Sequence, residues 1–121
     1  MAGTIVADTL THSTAGSIAT NYVVEGSAKA WCAMTDAAVV SDSANVTSAT
    51  DVSTGHYLVS LTSSMGNANY AGTGASQHSA ARHVHIYDRA TGNYDVHQFL
   101  STTQVFADGT GTSSAIHGDL A

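Results

Sequence analysis

Between residues 46 and 117 the chain breaks into short runs in which apolar side chains recur at every second position. Tyr57, Val59 and Leu61 alternate with more polar neighbours, and Val46 and Val52 lie at even spacing just before them. That period of two is what a half-buried antiparallel strand requires. Asp51 to Gly55 supplies a turn, since Asp, Ser and Thr side chains bond nearby backbone and Gly accepts positive φ. A second hairpin follows, with arms Arg82–Tyr87 and Tyr94–Leu100 around the turn-rich loop 88–93. Asn69–Ala71 opens a further short strand that gives way to a flexible patch at Gly72–Gly74. Two more runs, Thr103–Ala107 and Ser114–His117, flank a turn over 108–112. Short strands with turn signals between them predict an all-β fold, a small antiparallel sandwich or barrel.

Two segments depart from that regularity. In Ala28–Val40, Trp31, Met34 and Ala38 fit a helical stripe, while Ala30, Cys32 and Met34 alternate as in a strand, and periodicity does not choose between them. Residues 1–27 have too few large apolar groups for a core of their own. They are predicted to be an arm, with β-like runs at Thr4–Leu10 and Ile18–Val24, that packs on something else through Ile5, Val6, Leu10, Ile18 and Tyr22. The body is then 28–121.

Composition narrows the function classes. The chain is 121 residues and 12.3 kDa, a single domain by size. Area scaling gives a folded surface of roughly 6,100 Å². The apolar share is 43%, but much of it is alanine, so a thin core completed by neighbouring subunits or a host surface is expected. Only 10% of residues are charged, and against a net charge of −6 the cations are Lys29, Arg82 and Arg89. Three scattered cations cannot displace phosphate counterions along a duplex, which argues against a nucleic-acid partner. Cys32 is alone and reads as a small buried hydrophobe, not as a thiol with a base beside it. No secretory core opens the chain and no run of about 18 apolar residues occurs, so no membrane partner is expected and synthesis in a cytoplasm is.

The chain resembles a family of small virion surface proteins of phages that infect marine bacteria, described as tail-fibre-like or head-decorating. The resemblance is carried by Asp8-Thr9-Leu10-Thr11, by Gly26-Ser27-Ala28-Lys29-Ala30-Trp31, and by Asn45-Val46-Thr47-Ser48-Ala49-Thr50-Asp51. Gly55-His56-Tyr57, Met65-Gly66-Asn67-Ala68-Asn69-Tyr70 and Ala115-Ile116-His117-Gly118-Asp119-Leu120 complete it. It covers the arm to about residue 72 and again the last twenty residues, whereas 76–100 match poorly. The likeness implies an all-β fold, strand instead of helix for 28–40, and a virion role as a homotrimer. At Cys32-Ala33-Met34-Thr35-Asp36 the family's aromatic and Gly-rich turn is missing, so the core near Trp31 is expected to pack differently.

Candidate chemistry centres on the second hairpin. His83 and His85 share one strand face with Tyr87, leaving Val84 and Ile86 for the core. Near the axis of a trimer three copies would present six imidazoles, a donor set for a transition metal; otherwise these histidines bond Asp95 or His97 across the hairpin. Asp88 and Asp95 flank one loop in the manner of a glycosidase pair, but strand-end aspartates that bond turn backbone are far commoner. Neither a Gly-x-Ser-x-Gly elbow nor a His-Glu-x-x-His motif occurs, and no cofactor or enzymatic activity is expected. The expectation is a bacteriophage virion structural protein. Its first form is a homotrimeric decoration (cement) protein held on the major capsid protein or another virion protein by its arm. Its second is a tail-fibre or receptor-binding tip whose recognition loop presents Asp88, Arg89, Asn93 and Tyr94.

Overall fold

The alternation in Tyr57, Val59 and Leu61 resolves as burial. In the computed structural model, which describes residues 3–121, Tyr57 and Val59 are completely enclosed and Leu61 half-buried, while His56, Leu58 and Ser60 face the other way. Strands β1 (Thr9–His12) and β2 (Gly16–Ala19) form a separate hairpin, followed by the short helix α1 (Thr20–Gly26). The body holds β3 (Ala28–Thr35), β4 (Val40–Ala44), β5 (Val46–Ser53), β6 (His56–Leu61), β7 (Ala71–Ser76), β8 (Arg82–Tyr87), β9 (Asn93–Leu100) and β10 (Gly111–His117). They make two four-stranded antiparallel sheets, β4-β3-β10-β7 and β5-β6-β9-β8, stacked as a small β-sandwich without barrel closure. Among the described residues no helix is long and apolar enough to cross a membrane.

Each inner face is written at alternate positions. The first sheet contributes Ala30, Cys32 and Met34 from β3 with Thr112, Ser114 and Ile116 from β10. The second contributes Tyr57 and Val59 from β6, Tyr94, Val96 and Gln98 from β9, and the half-buried Val84 and Ile86 from β8. The first sheet's inner face, small except at Met34 and Ile116, therefore shares the core with the large tyrosines of the second. The polar groups inside are paired, as burial demands. Gln98 Nε2 donates to Ser76 Oγ at 2.7 Å, and Thr112 Oγ1 donates to Gln98 Oε1 at 2.7 Å. The Tyr94 hydroxyl meets Ser114 Oγ at 2.9 Å, and burial pushes its pKa up to about 12. Tyr57 donates to Asp108 at 3.1 Å, and its phenol too is raised, by burial first and then by the Asp108 charge.

Several sequence expectations change. Ala28–Thr35 is strand, as the resemblance implied and periodicity had left open, with Ala30, Cys32 and Met34 inward, so Trp31 points out of the core and keeps 38% of its surface. Gly72 and Gly74 are not a flexible patch but the middle of β7, where β8 lies so close that no Cβ fits. A Cβ on Gly72 would lie 2.7–2.8 Å from three atoms of Ile86, and one on Gly74 would overlap Val84 Cγ1. Thr103–Ala107 contributes only an isolated bridge, Phe106 against Phe99. Asn45, in the left-handed region at φ 56°, turns the chain from the first sheet into the second. Its side chain donates to Lys29 O and Ser63 O and accepts from the Ser63 N–H.

The N-terminal unit is built differently from the arm the sequence suggests. Ile18–Val24 is not one strand: β2 ends at Ala19 and α1 takes over. Thr20 fixes that change by donating its N–H to Asp8 O at 2.9 Å and its hydroxyl to Ala7 O at 2.6 Å. No residue of 3–28 is buried. The accessible surface of 7153 Å² accordingly exceeds by about 1,000 Å² what a packed chain of this mass would show.

Candidate functional site

Alternation places Asp95, His97 and Phe99 of β9 on the outer face of the second sheet, because Tyr94, Val96 and Gln98 occupy the inner one. The same rule turns His56 of β6 and His83, His85 and Tyr87 of β8 outward. Register then brings them together. His56 and His85 are the cross-strand partners of His97 on its two sides, so three imidazoles line up across three strands. In the neighbouring row Leu58 and Tyr87 flank Asp95.

Within this face the ligating atoms of His56, Asp95 and His97 all lie within 4.8 Å of one another. His56 Nε2–H donates to Asp95 Oδ2 at 2.8 Å, while His97 Nε2 stands 3.8 Å from the same oxygen, beyond hydrogen-bond range. His97 Nε2 is buried and has no partner at all. The two imidazoles meet edge to face with centroids 4.5 Å apart. Aromatic rings wall the group: Tyr87 at 5.0 Å and Phe106 at 5.3 Å from the His97 ring, with Phe99 stacked at 4.4 Å on Phe106. Burial, and then the neighbouring His56, holds His97 below the usual histidine pKa despite the opposing pull of Asp95.

The residues singled out in the sequence fall unevenly on this map. His83 and His85 lie exposed on the edge strand β8, with ring centroids 6.3 Å apart, and neither bonds Asp95. Asp95 is taken by His56, a residue the sequence reading named only within the Gly55-His56-Tyr57 stretch that carries the resemblance. In the 88–94 loop Asp88 is exposed, whereas Arg89 donates to Tyr70 O at 2.7 Å and the Asn93 carbonyl accepts from the Tyr70 hydroxyl at 3.0 Å. Tyr94 is fully buried and is removed from any recognition loop: it is the first inward position of β9 and its ring fills the core. Ile5, Val6, Leu10, Ile18 and Tyr22 are all exposed. Ile5, Val6 and Leu10 line an apolar trough with Val23 and Val24.

Missing from the sequence reading was the join of His56 to Asp95 and His97. A signal existed in the alternation around Tyr57, which puts His56 outward, but the pairing of β6 with β9 has no local signature. No protein-family model, curated protein or solved structure matches this chain.

Proposed function

We propose that this protein is a structural component of a bacteriophage particle, a homotrimeric head-decoration protein attached to the capsid through residues 3–27. One observation carries the reading. The N-terminal unit buries none of its own side chains, yet it displays Ile5 and Val6 at 92% and 91% exposure together with Leu10, Ile18, Tyr22, Val23 and Val24. So much apolar surface in one short stretch is what an attachment element offers to a partner surface. The sandwich behind it has its own core and meets the unit through polar contacts at its base, His117 Nδ1 to Gly26 O and Lys29 Nζ to Val24 O. The family resemblance supplies the virion setting.

The tail-tip reading keeps less support, since the 88–94 loop is tied down by Tyr70 and Tyr94 is buried. Quantifying the protein in purified particles and imaging it there separates the two. Hundreds of copies over the head support decoration; a few copies at the tail support a tip; absence from the particle overturns both. Replacing Ile5, Val6 and Leu10 together with aspartate should abolish incorporation and leave the body folded. Normal decoration by that variant would show that the unit is not the anchor.

A further inference from the structure

We propose that His56, Asp95 and His97 bind one divalent transition-metal ion, zinc in the first instance, on the outer face of the β5-β6-β9-β8 sheet. Two imidazoles and a carboxylate are a donor set for zinc, with bonds of about 2.0–2.2 Å. Tetrahedral bonds of that length separate neighbouring donors by about 3.4 Å. Asp95 Oδ2 stands 2.8 Å from His56 Nε2 and 3.8 Å from His97 Nε2, values that straddle that spacing to within roughly half an ångström. Small side-chain rotations would close the set.

The geometry also contains an atom that asks for a partner. His97 Nε2 is buried, bonded to nothing, and directed to the same oxygen that His56 already holds. Leaving a buried polar atom unpaired is unfavourable, and a metal coordinated by that nitrogen removes the penalty. The three ligands sit on the paired central strands β6 and β9, where cross-strand register fixes the His56–His97 separation. Rings of Tyr87 and Phe106 beside His97 restrict water around it. A shell of that kind lowers the local dielectric and holds ligands in place. Asp95 neutralises part of the ion's charge, and a chain of net charge −6 attracts cations generally. Three protein ligands leave a fourth coordination position for water or another ligand.

This site is distinct from the exposed His83/His85 pair on β8, and the two are separable by experiment. The full chain, stripped with chelator and exchanged into metal-free buffer, is titrated with Zn²⁺ by calorimetry and with Co²⁺ by visible absorption. The expected result is one ion per chain, tetrahedral cobalt bands, and a zinc-dependent rise in Tm. His97→Asn and Asp95→Asn should each weaken binding by more than the roughly 10–100-fold typical of losing an outer-shell partner. His83→Asn should bind like the parent. If His97→Asn fails to fold by circular dichroism, the partly exposed His56→Asn serves in its place. Absence of saturable binding, or binding lost in His83→Asn and kept in the His97 or His56 variant, would overturn the assignment.

Discussion

Adding one methyl at the contact between β7 and β8 should distinguish two glycines that the sequence makes look alike. At Gly74 the new Cβ overlaps Val84 Cγ1 but stays 3.2 Å from Val84 Cβ. At Gly72 it meets Ile86 Cγ2 at 2.7 Å and Ile86 Cβ and Cγ1 both at 2.8 Å. Carbon pairs are comfortable at about 3.5–4.0 Å. The Gly74 clash is therefore with a methyl that a substitution can delete, while the Gly72 clash includes a Cβ that every residue except glycine keeps. Overpacking costs about 1–3 kcal/mol, and Gly→Ala recovers about 0.4–1 kcal/mol by restricting the unfolded chain. Gly74→Ala alone should destabilise by about 1–2 kcal/mol and Gly72→Ala by about 2–3 kcal/mol. In a Val84→Ala background, which itself loses core packing, Gly74→Ala should become neutral or stabilising, a coupling of at least about 1 kcal/mol. In an Ile86→Ala background Gly72→Ala should still cost about 1 kcal/mol or more, because the 2.8 Å contact with Cβ persists. Urea unfolding of the two double-mutant cycles measures both values. Additivity within about 0.3 kcal/mol at Gly74, or equal rescue at the two sites, would mean that the sheets do not approach as described.

Two further outcomes follow from the burial pattern. Trp31→Ala should cost no more than about 2 kcal/mol, below the 3–5 kcal/mol typical of an enclosed aromatic, since water and not a cavity replaces the ring. As the chain has one tryptophan, native emission should be accessible to iodide quenching, and a blue-shifted, unquenched signal would place Trp31 in the core. Tyr94 carries a phenol raised to about 12, so its contribution to stability is complete below the unfolded value near 10 and is lost as pH rises through 12. The loss is about 2–3 kcal/mol, with Tyr57 acting in the same direction. Denaturant midpoints from pH 8 to 11.5 should fall more steeply in the parent than in Tyr94→Phe, and parallel curves would refute the linkage.

Strand faces were legible wherever a large side chain marked the inner side. Tyr57 and Val59 in β6 and Val84 and Ile86 in β8 declare their orientation by alternation alone. In β3 size does not mark the inner side. Its inner residues are Ala30, Cys32 and Met34, which share one core with Tyr57 and Tyr94 of the opposite sheet, and the large Trp31 faces out. Gly72 and Gly74 looked like flexibility because the reason for them lies in Ile86 and Val84, residues of another strand. The candidate metal site failed to appear for the same reason. Its members lie on β6 and β9, strands far apart in sequence that become neighbours only through the order β5-β6-β9-β8. Local patterns fix which way a residue points, whereas strand order decides whom it meets.

The exposed N-terminal unit also explains why a trimer suits the proposed role better than a monomer. Seven large apolar residues, Ile5, Val6, Leu10, Ile18, Tyr22, Val23 and Val24, keep between 41% and 92% of their surface. Full burial of such side chains is worth about 1.5–3 kcal/mol each, and roughly half of that is still available where half the surface is already covered. One arm on a capsid would thus gain on the order of 10 kcal/mol before losses. Association removes about 4–15 kcal/mol in lost rigid-body freedom, with further losses for ordering side chains. A single arm is consequently near balance. In the proposed trimer, three arms on one body would attach the second and third intramolecularly, and avidity would then exceed single-arm affinity by about 10²–10⁴ without any new contact. In the proposed role the attachment energy would reside in apolar surface that the single chain leaves uncovered.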